Sequence, residues 1–506
     1  MKLLKDFFSY DIPKTAYMFL VSISLSCTTF SQPKDVINKD LTNFINRAFE
    51  LELTPGMAVG VVRDNQIIYT AGFGVTDITT KNHVTPETLF YIASTTKSFT
   101  GFAAAMLDYE GILDLDAPFT KYSHGFEFNT SLKDSVITLR DLLTHTHGIE
   151  ESFPIIFRTA YTGEFTDQLL LDLLENTPPS ENGRAFKYGN LGYNITGLVM
   201  DEYLGERWQD ILDENVFTPL GMNNTTAFIP TNTNNLAMPH KALSDGFQKT
   251  DYVKSEANMH AAGGHVTTVN DLCKWLLVQL NNGNLNGEQI FPASIVQETH
   301  KIQTMQDRNY SKIHRHGWGL GWDIGTYDGD TLIHRFGGFA GFHSHVSFMP
   351  NHEIGVVVLV NNGSLGSYFA EMIAQYIYDY MLNKPGIVEK YDEILTSFKL
   401  QAEKARTRIA ADCAKRAERS QVFPLPIENY IGEFTNPELG KITITLIDGK
   451  LKIKAGIARS DVQVYDAEKN QLRVELTGGG EVITFVCEEN QSPKFIYNSF
   501  EFVKSE

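Results

Sequence analysis

The sequence predicts two folded units of different class, an α+β domain over residues 33–383 and a small all-β, barrel-like domain over residues 427–506. Strand-like apolar segments at residues 57–62 and 354–360 flank a long, mainly helical stretch. This arrangement predicts an α+β domain whose sheet joins both of its ends. After residue 427 the apolar residues alternate with polar ones, which indicates an all-β domain.

The elements of the α+β domain follow from local patterns. An apolar face predicts a first helix, and a turn at Asp64-Asn65 between two strand-like runs predicts a hairpin. In chain order we expect a helix at 33–50, a hairpin at 57–62 and 67–71, a helix that begins near Ser94, a mainly helical region at 140–280, two or more late strands including 354–360, and a helix at 367–382.

Residues 384–426 are expected to form a helical linker. Their composition is rich in Ala, Glu, Lys and Arg, and Pro424 and Pro426 end the helical pattern. Beyond the linker, Asp448-Gly449 is a strong hairpin signal. A second hairpin follows around residues 478–480, so we expect a small barrel or curled sheet.

Residues 1–32 resemble a signal peptide. Lysines precede an apolar run at residues 16–25, which is too short to span a bilayer comfortably, and small and polar residues follow it up to a candidate cleavage site near Gln32. The protein is therefore expected to be exported, to the periplasm or the extracellular space. Cys27 offers a weaker alternative, lipoprotein anchoring. No later segment reaches transmembrane length without charges.

Bulk properties exclude some classes of function. The formal net charge of −18 argues against a nucleic-acid partner, because phosphate backbones are neutralised by clustered lysine and arginine. Outside the signal peptide only Cys273, Cys413 and Cys487 occur, far apart and without metal-ligand spacing. A disulfide-stapled scaffold is therefore not expected.

The segment Ser94-Thr95-Thr96-Lys97 places a hydroxyl and an amine three residues apart at the predicted start of a helix. Positions i and i+3 of a helix share one face, so Lys97 can reach Ser94. A serine hydroxyl is a weak nucleophile until a base activates it, and a partly desolvated amine can be that base. Taken alone, the same pattern also fits an N-cap serine followed by a solvated lysine.

Two further segments could complete such a site. In Tyr188-Gly189-Asn190, a tyrosine beside cations could act as acid or base, and the carboxamide could hold the lysine and a substrate amide. Glycines at 337 and 338, after the basic residues at 334 and 335, would let a backbone N–H approach an acyl oxygen. The plainer interpretations are an aromatic surface turn and a glycine-rich hairpin.

In combination and order, the three segments resemble those of the serine β-lactamase and penicillin-binding-protein superfamily. They are most similar to the branch with class C β-lactamases, D,D-carboxypeptidase-like enzymes, D-aminopeptidases and esterases. Supporting stretches at 55–59, 142–149, 262–268 and 319–322 follow the same family order. The resemblance implies a β-lactamase/D,D-peptidase-like domain, with an antiparallel sheet flanked by helices and a helical subdomain, and a lipocalin-like C-terminal barrel.

The resemblance also implies residue roles. Ser94 would be the acylated nucleophile and Lys97 its general base. Tyr188 would pass a proton to the leaving group and activate the deacylating water, and Asn190 would position the substrate. Backbone N–H groups of Gly338 and Ser94 would bind the oxyanion.

The third segment departs from the family pattern. Counting back from Gly337, the family's Lys or His falls on Arg335, whereas alignment on the histidine selects His334. Neighbouring strand residues face opposite sides, so only one of the two can face Ser94. An arginine there could bind a carboxylate but could not act as a base. Both stay candidate substrate-binding residues, with a slight preference for Arg335.

The expected function is therefore an exported serine hydrolase that forms an acyl-enzyme on Ser94. Its substrate would be a small molecule or peptide: a D-amino-acid or cell-wall peptide amide, a β-lactam or an ester. No cofactor is expected, and no metal, since His343 and His345 lack an acidic or cysteine partner nearby in sequence. The alternative is a catalytically idle ligand- or peptidoglycan-binding protein on the same fold, which Arg335 motivates. Oligomeric state does not follow from the sequence.

Overall fold

The structure of the protein is a computed structural model, which describes residues 34–122, 131–132, 136–363, 365–486 and 492–505. The predicted signal peptide with Cys27, and also Cys487, lie outside the described residues. Across the described ranges, no helix is long and apolar enough to cross a bilayer. The helices are α1 (Lys34–Phe49), α2 (Thr96–Tyr109), α3 (Leu139–Leu143), α4 (Phe153–Ile156), α5 (Asp167–Glu175), α6 (Leu191–Val199), α7 (Trp208–Leu212), α8 (Val269–Leu280), α9 (Ala293–His300), α10 (Leu365–Met381) and α11 (Ile387–Ala417).

One large antiparallel sheet organises the first unit. Its strands and those of three short ladders are β1 (Gly56–Arg63), β2 (Gln66–Gly74), β3 (Phe90–Tyr91), β4 (His240–Ala242), β5 (Phe247–Lys249), β6 (Val266–Thr267), β7 (Asn284–Leu285), β8 (Glu288–Gln289), β9 (Thr304–Tyr310), β10 (Ile313–Trp318), β11 (Asp323–Tyr327), β12 (Asp330–Phe339), β13 (Phe342–Met349) and β14 (Ile354–Val360). In the part of the chain that is described, the large sheet has eight strands in the order β2-β1-β14-β13-β12-β11-β10-β9. The pairing of β1 with β14 confirms that the sheet joins both ends of the domain.

The sheet lies between two layers of helices. Successive side chains of a strand point to opposite faces. On β1, Val59 and Val61 pack in the core beneath α1 and α10, whereas Ala58 packs in the core shared with α2 and α8. Both faces of the central strands are therefore buried, which explains the continuous apolar run at Ile354–Val360.

Strands β9, β10 and β11 extend the late part of the sheet beyond the strand that the sequence marked at 354–360. The pattern of β9 is weak because β9 is an edge strand. Of its residues Thr304–Tyr310, only Gln306 is buried. An exposed edge carries polar side chains, so the apolar alternation that identifies a strand is missing there.

The second unit follows the long, mostly exposed helix α11. Its strands are β15 (Gly432–Asn436), β16 (Gly440–Ile447), β17 (Lys450–Ala455), β18 (Ala458–Asp461), β19 (Gln463–Asp466), β20 (Gln471–Val474), β21 (Glu481–Val486), β22 (Lys494–Tyr497) and β23 (Phe500–Lys504). They form a nearly closed antiparallel barrel in which β15 pairs with β23. The pairing of Ile447 with Lys450 confirms the hairpin predicted at Asp448-Gly449.

The barrel packs against the first unit. Phe157, from the segment after α4, is fully buried in the apolar core of the barrel. The N–H of Ile457 in the barrel donates to the carbonyl oxygen of Thr162 at 2.7 Å. The hydroxyl of Tyr252 donates to the carbonyl oxygen of Glu475 at 2.9 Å. The two units are therefore joined by apolar and polar contacts in addition to α11.

Candidate active site

Ser94 lies in a tight turn between β3 and α2. The turn is a short 3-10 helix over Ala93–Thr95, and α2 begins at Thr96. Ala93 has a φ of 45°, in the left-handed region, where a residue other than glycine is strained by about 1–3 kcal/mol. Strain of this kind persists where the surrounding structure enforces it, often at functional sites. The turn leaves Ser94 partly exposed, whereas Lys97 is fully buried.

The ammonium group of Lys97 is held by three oxygen atoms. Nζ donates to Oγ of Ser94 at 3.2 Å, to Oδ1 of Asn190 at 2.6 Å and to the carbonyl oxygen of Ala262 at 2.8 Å. These acceptors use all three of its donors. Burial lowers the pKa of Lys97, because desolvation disfavours the charged form. Lys97 therefore gives up its proton more readily than an exposed lysine.

Tyr188 lies between two cations. Nη2 of Arg335 donates to its hydroxyl oxygen at 2.7 Å, and Nζ of Lys97 lies 5.1 Å from its ring centroid. Burial alone would raise the pKa of Tyr188, but the charges of Arg335 and Lys97 outweigh burial and lower it. A hydrogen bond from Ser94 lowers it further. A phenol with a lowered pKa gives up its proton to a neighbouring base more readily than a free tyrosine does.

A carboxylate fixes the turn that carries Tyr188 and Asn190. The N–H of Asn190 donates to Oε1 of Glu151 at 2.8 Å, and a Cβ at Gly189 would overlap Oε2 of Glu151. Burial raises the pKa of the Glu151 carboxyl. The sequence did not single out Glu151, which lies 39 residues before its partner, and no local signal distinguishes it from the neighbouring Glu150.

Of the two basic candidates on β12, the structure places Arg335 beside Tyr188. His334 points to the opposite face of the strand, where its ring stacks on Phe336 with centroids 4.4 Å apart. There Nε of Arg315 donates to Nε2 of His334 at 3.4 Å. The alternation of strand side chains produces this separation. A ligand beside Tyr188 would therefore meet Arg335, and His334 faces away from it.

Arg335 is held by a carboxylate that the sequence did not single out. Its Nη1 donates to Oδ2 of Asp323 at 2.8 Å, and Asp323 is fully buried. Arg308 and Arg315 also approach Oδ1 of Asp323, at 3.6 and 3.7 Å. Three guanidinium groups around one carboxylate leave an excess of positive charge near Tyr188. The position of Asp323 directly after the 319–322 stretch is the one sequence signal that could have found it.

The glycines of the third segment have different surroundings. A Cβ at Gly337 would overlap the carbonyl oxygen of Ile92 and would lie 2.5 Å from Oγ of Ser344. Glycine therefore lets β12 approach the turn that carries Ser94 more closely than other residues would. A Cβ at Gly338 would meet nothing within 4 Å, so the strand borders open space there.

His343 and His345, the pair on one face of β13, make different contacts. Nε2 of His345 forms a hydrogen bond with Oγ of Ser347 at 2.8 Å, and the same hydroxyl contacts Tyr378 at 2.8 Å. Burial lowers the pKa of His343 to about 4. Among the residues that the structure describes, no group of three or more His, Cys, Asp or Glu side chains is arranged to hold a metal ion.

Comparison with known families places this chain in one class. Residues 45–376 match the family model described as Beta-lactamase. The match covers more than half of the chain, and the chain therefore belongs to the β-lactamase family.

Individual relatives are distant. The chain is 26% identical over 339 residues to the protein named flp of Staphylococcus aureus (strain MW2), a match that covers 65% of this chain and 63% of that protein. It is 22% identical over 440 residues to the unguisins hydrolase ungD' of Aspergillus campestris, a match that covers 81% of this chain and 78% of that protein. The match to flp thus spans less than two thirds of the length of that relative.

Two solved structures share the fold. One is the octameric penicillin-binding protein homologue from Pyrococcus abyssi, with a TM-score of 0.56 and 21% identity, over 92% of this chain and 99% of that one. The other is a class C β-lactamase from Rhodobacter sphaeroides, with a TM-score of 0.54 and 21% identity, over 68% of this chain and all of that one. They confirm the predicted β-lactamase-like α+β fold.

Proposed function

We propose that this protein is an exported serine hydrolase that acts through an acyl-enzyme on Ser94. The observation that carries the proposal is the hydrogen bond of 3.2 Å between Nζ of Lys97 and Oγ of Ser94, at a site where burial lowers the pKa of Lys97. A buried amine next to a serine hydroxyl is an arrangement that activates the serine. Membership of the β-lactamase family and a relative named as a hydrolase support the same conclusion.

In the proposed acylation, Oγ of Ser94 attacks the substrate carbonyl carbon while its proton passes to the neutral amine of Lys97. The carbonyl oxygen becomes negatively charged and accepts hydrogen bonds from the N–H groups of Ser94 and Gly338. The bond to the leaving group then breaks, and Tyr188 donates a proton to that group. Lys97 returns its extra proton to Tyr188, which restores both residues.

Deacylation uses the same groups in the reverse direction. A water molecule attacks the acyl carbon and gives a proton to Tyr188, while Tyr188 passes its own proton to Lys97. The bond between the acyl carbon and Oγ of Ser94 breaks, and Lys97 protonates the departing oxygen. Neither half of the scheme needs a cofactor or a metal ion.

The proposed substrates are small molecules or peptides with a reactive carbonyl: D-amino-acid or cell-wall peptide amides, β-lactams and esters. Asn190, which already accepts a hydrogen bond from Lys97, would position a substrate amide. The similar proteins are named for unguisins, penicillin binding and β-lactams. One fold supports several substrates with this chemistry, so the proposal is the reaction type and not one compound.

The test is covalent labelling followed by a substrate panel. We expect a fluorophosphonate probe or a labelled penicillin to form an adduct that peptide mass spectrometry maps to Ser94. We also expect turnover of at least one class among D-amino-acid peptides, nitrocefin and short-chain p-nitrophenyl esters. Ligand binding with neither an adduct nor turnover would contradict the proposal and favour the idle binding protein.

Replacement of Arg335 by Met is expected to move the acid limb of the kcat/KM profile to higher pH. The charge of Arg335 lowers the pKa of both Tyr188 and Lys97, so its loss raises both. Neutral Lys97 is the active form in the scheme, and activity therefore rises as the pH increases through its pKa. With a higher pKa, this rise occurs at a more alkaline pH. Hydrolysis of a p-nitrophenyl ester from about pH 5 to about pH 10 measures the limb.

Arg335→Lys is the control for this experiment. It keeps the positive charge but loses the forked contact with Asp323 and Tyr188. Its acid limb should stay closer to that of the wild type than the limb of Arg335→Met. If Arg335→Met leaves the limb in place, Arg335 does not tune the proton-transfer groups.

A further inference from the structure

Lys254 is a second buried lysine, outside the group of residues around Ser94. It is only 8% exposed. Its Nζ donates to the carbonyl oxygen of Asn258 at 3.1 Å and lies 4.0 Å from the ring centroid of Phe339. Burial lowers the pKa of Lys254 to about 7. Near neutral pH, a negative charge beside Nζ would therefore stabilise the protonated form.

The surroundings of Lys254 lack a counter-charge. Two other, more exposed lysines pair with buried carboxylates: Lys249 with Asp77 at 2.8 Å, and Lys274 with Asp271 at 3.0 Å. Within the described ranges, Lys254 forms no such ion pair, and its one acceptor leaves donor capacity unused. A buried charge without a partner is costly. A negatively charged ligand would supply both the missing charge and the missing acceptors.

Lys254 and Arg335 lie on opposite sides of Ser94, as the positions along β12 of Arg335 and of Phe339, the ring under Lys254, indicate. Arg335 lies four residues before Phe339, the last residue of the strand. At about 3.3 Å per residue, these two positions are about 13 Å apart. Gly337, which packs against the turn that carries Ser94, lies midway between them. The ammonium over Phe339 is therefore on the far side of the nucleophile from Arg335.

His260 connects this lysine to the turn at Ser94. Burial, and then the charges of Lys254 and Lys97, lower the pKa of His260, so its ring lies within electrostatic reach of both ammonium groups. A Cβ at Gly263 would lie 3.3 Å from Cε1 of His260 and 3.6 Å from the carbonyl carbon of Ala93. One wall, formed by Lys254, Phe339 and His260, thus reaches Ala93, the residue before the nucleophile.

The barrel supports the same wall. The ring of Tyr161 stacks on Phe339 with centroids 5.8 Å apart. The next residue, Thr162, accepts the hydrogen bond from Ile457 of the barrel. The aromatic ring that Lys254 covers is therefore also contacted by a segment that the barrel fixes.

We propose that Lys254 binds a carboxylate in the acyl part of the substrate. The inference rests on the proposed function, in which Tyr188 protonates the leaving group. Arg335 adjoins Tyr188, so the leaving group lies at the Arg335 end of β12 and the acyl chain extends toward Lys254. The carboxylate accepts hydrogen bonds from Nζ and neutralises its charge, while the acyl chain contacts the ring of Phe339.

The experiment compares kcat/KM for mono-p-nitrophenyl adipate, whose acyl chain ends in a carboxylate, with kcat/KM for its neutral methyl ester. Spontaneous hydrolysis is subtracted from both. The wild type should prefer the acid by about 10-fold or more, the effect of one charge-assisted hydrogen bond. Lys254→Met should bring the ratio of the two values to about one, and turnover of the methyl ester by this variant reports that it is folded.

Lys504→Met is the matched control. Nζ of Lys504 also donates to one backbone carbonyl, that of Glu428 at 2.8 Å, and lies 6.0 Å from the ring centroid of Phe434, but within the barrel. This variant should keep the wild-type preference for the acid. No preference in the wild type, or an unchanged preference in Lys254→Met, would overturn the inference.

A binding measurement separates failure of this inference from failure of the proposed function. If the wild type hydrolyses neither ester, adipic acid monoanilide is titrated calorimetrically into the Ser94→Ala protein. The same titration is made with the double variant Ser94→Ala, Lys254→Met. Binding about 10-fold weaker than that of Ser94→Ala alone supports the subsite without any turnover. Equal affinity of the two proteins, or no binding to Ser94→Ala, overturns it.

Discussion

Ser94→Ala is expected to lower turnover of every hydrolysed substrate by about three orders of magnitude or more and to abolish covalent labelling. Neither neighbouring threonine hydroxyl is placed to replace that of Ser94. Oγ1 of Thr95 lies 2.8 Å from Oγ of Ser344, and Oγ1 of Thr96 accepts a hydrogen bond from the N–H of His265 at 3.1 Å. Both threonines are fully buried, whereas Ser94 is partly exposed. The loss should therefore be nearly complete.

The measurement is labelling by a fluorophosphonate probe together with kcat/KM on the best substrate of the panel. Ser98→Ala is the matched control, because Ser98 is a buried serine of the adjoining helix α2 whose hydroxyl donates to the carbonyl oxygen of Thr95 at 2.8 Å. It should be labelled at close to the wild-type rate. Equal labelling of Ser94→Ala and the wild type would exclude Ser94 as the nucleophile.

Lys97→Met should lower kcat/KM by about two orders of magnitude or more, the usual contribution of general acid–base catalysis. Methionine has a similar length and is compatible with burial, but it cannot accept the proton of Ser94. The variant also removes the donor to Asn190 and to the carbonyl oxygen of Ala262. Rates are best measured on an ester with a good leaving group, because protonation of that group then contributes least.

Lys187→Met is the control for this variant. Lys187 is next to Tyr188 in sequence, but its ammonium is partly exposed and pairs with Glu150 at 2.5 Å. Surface ion pairs of this kind contribute about 0–1 kcal/mol, so neither stability nor activity should change much. A rate for Lys97→Met near that of Lys187→Met would remove Lys97 from the mechanism. The melting temperature of each variant separates loss of chemistry from loss of fold.

Much of the site could be predicted from sequence because its central pair is local. Ser94 and Lys97 are one helical turn apart, so periodicity alone brings them together. The strand at 354–360 and the hairpin at Asp448-Gly449 were equally accessible, because each depends on a short pattern of apolar or turn residues. Tyr188 needed the ordered combination of segments, since a tyrosine in a polar loop carries no signal of its own.

Other charged residues near the site could not be found in the same way. Asp323, Glu151 and Lys254 contact distant parts of the chain. A charged residue has the same appearance in a sequence whether it is solvated or buried. Likewise, the choice between His334 and Arg335 required the register of β12, because a shift of one residue exchanges the two faces of a strand.

Phe157 has a consequence for how the protein can be divided. It belongs to the first unit by sequence, yet its side chain is fully buried in the core of the barrel. Deletion of the barrel would expose this ring to water and release Thr162 from Ile457. Part of the wall beside Ser94 would lose its support at the same time. The barrel is therefore a component of the hydrolase unit itself, and a chain cut in α11 would not be an independent enzyme with an accessory domain removed.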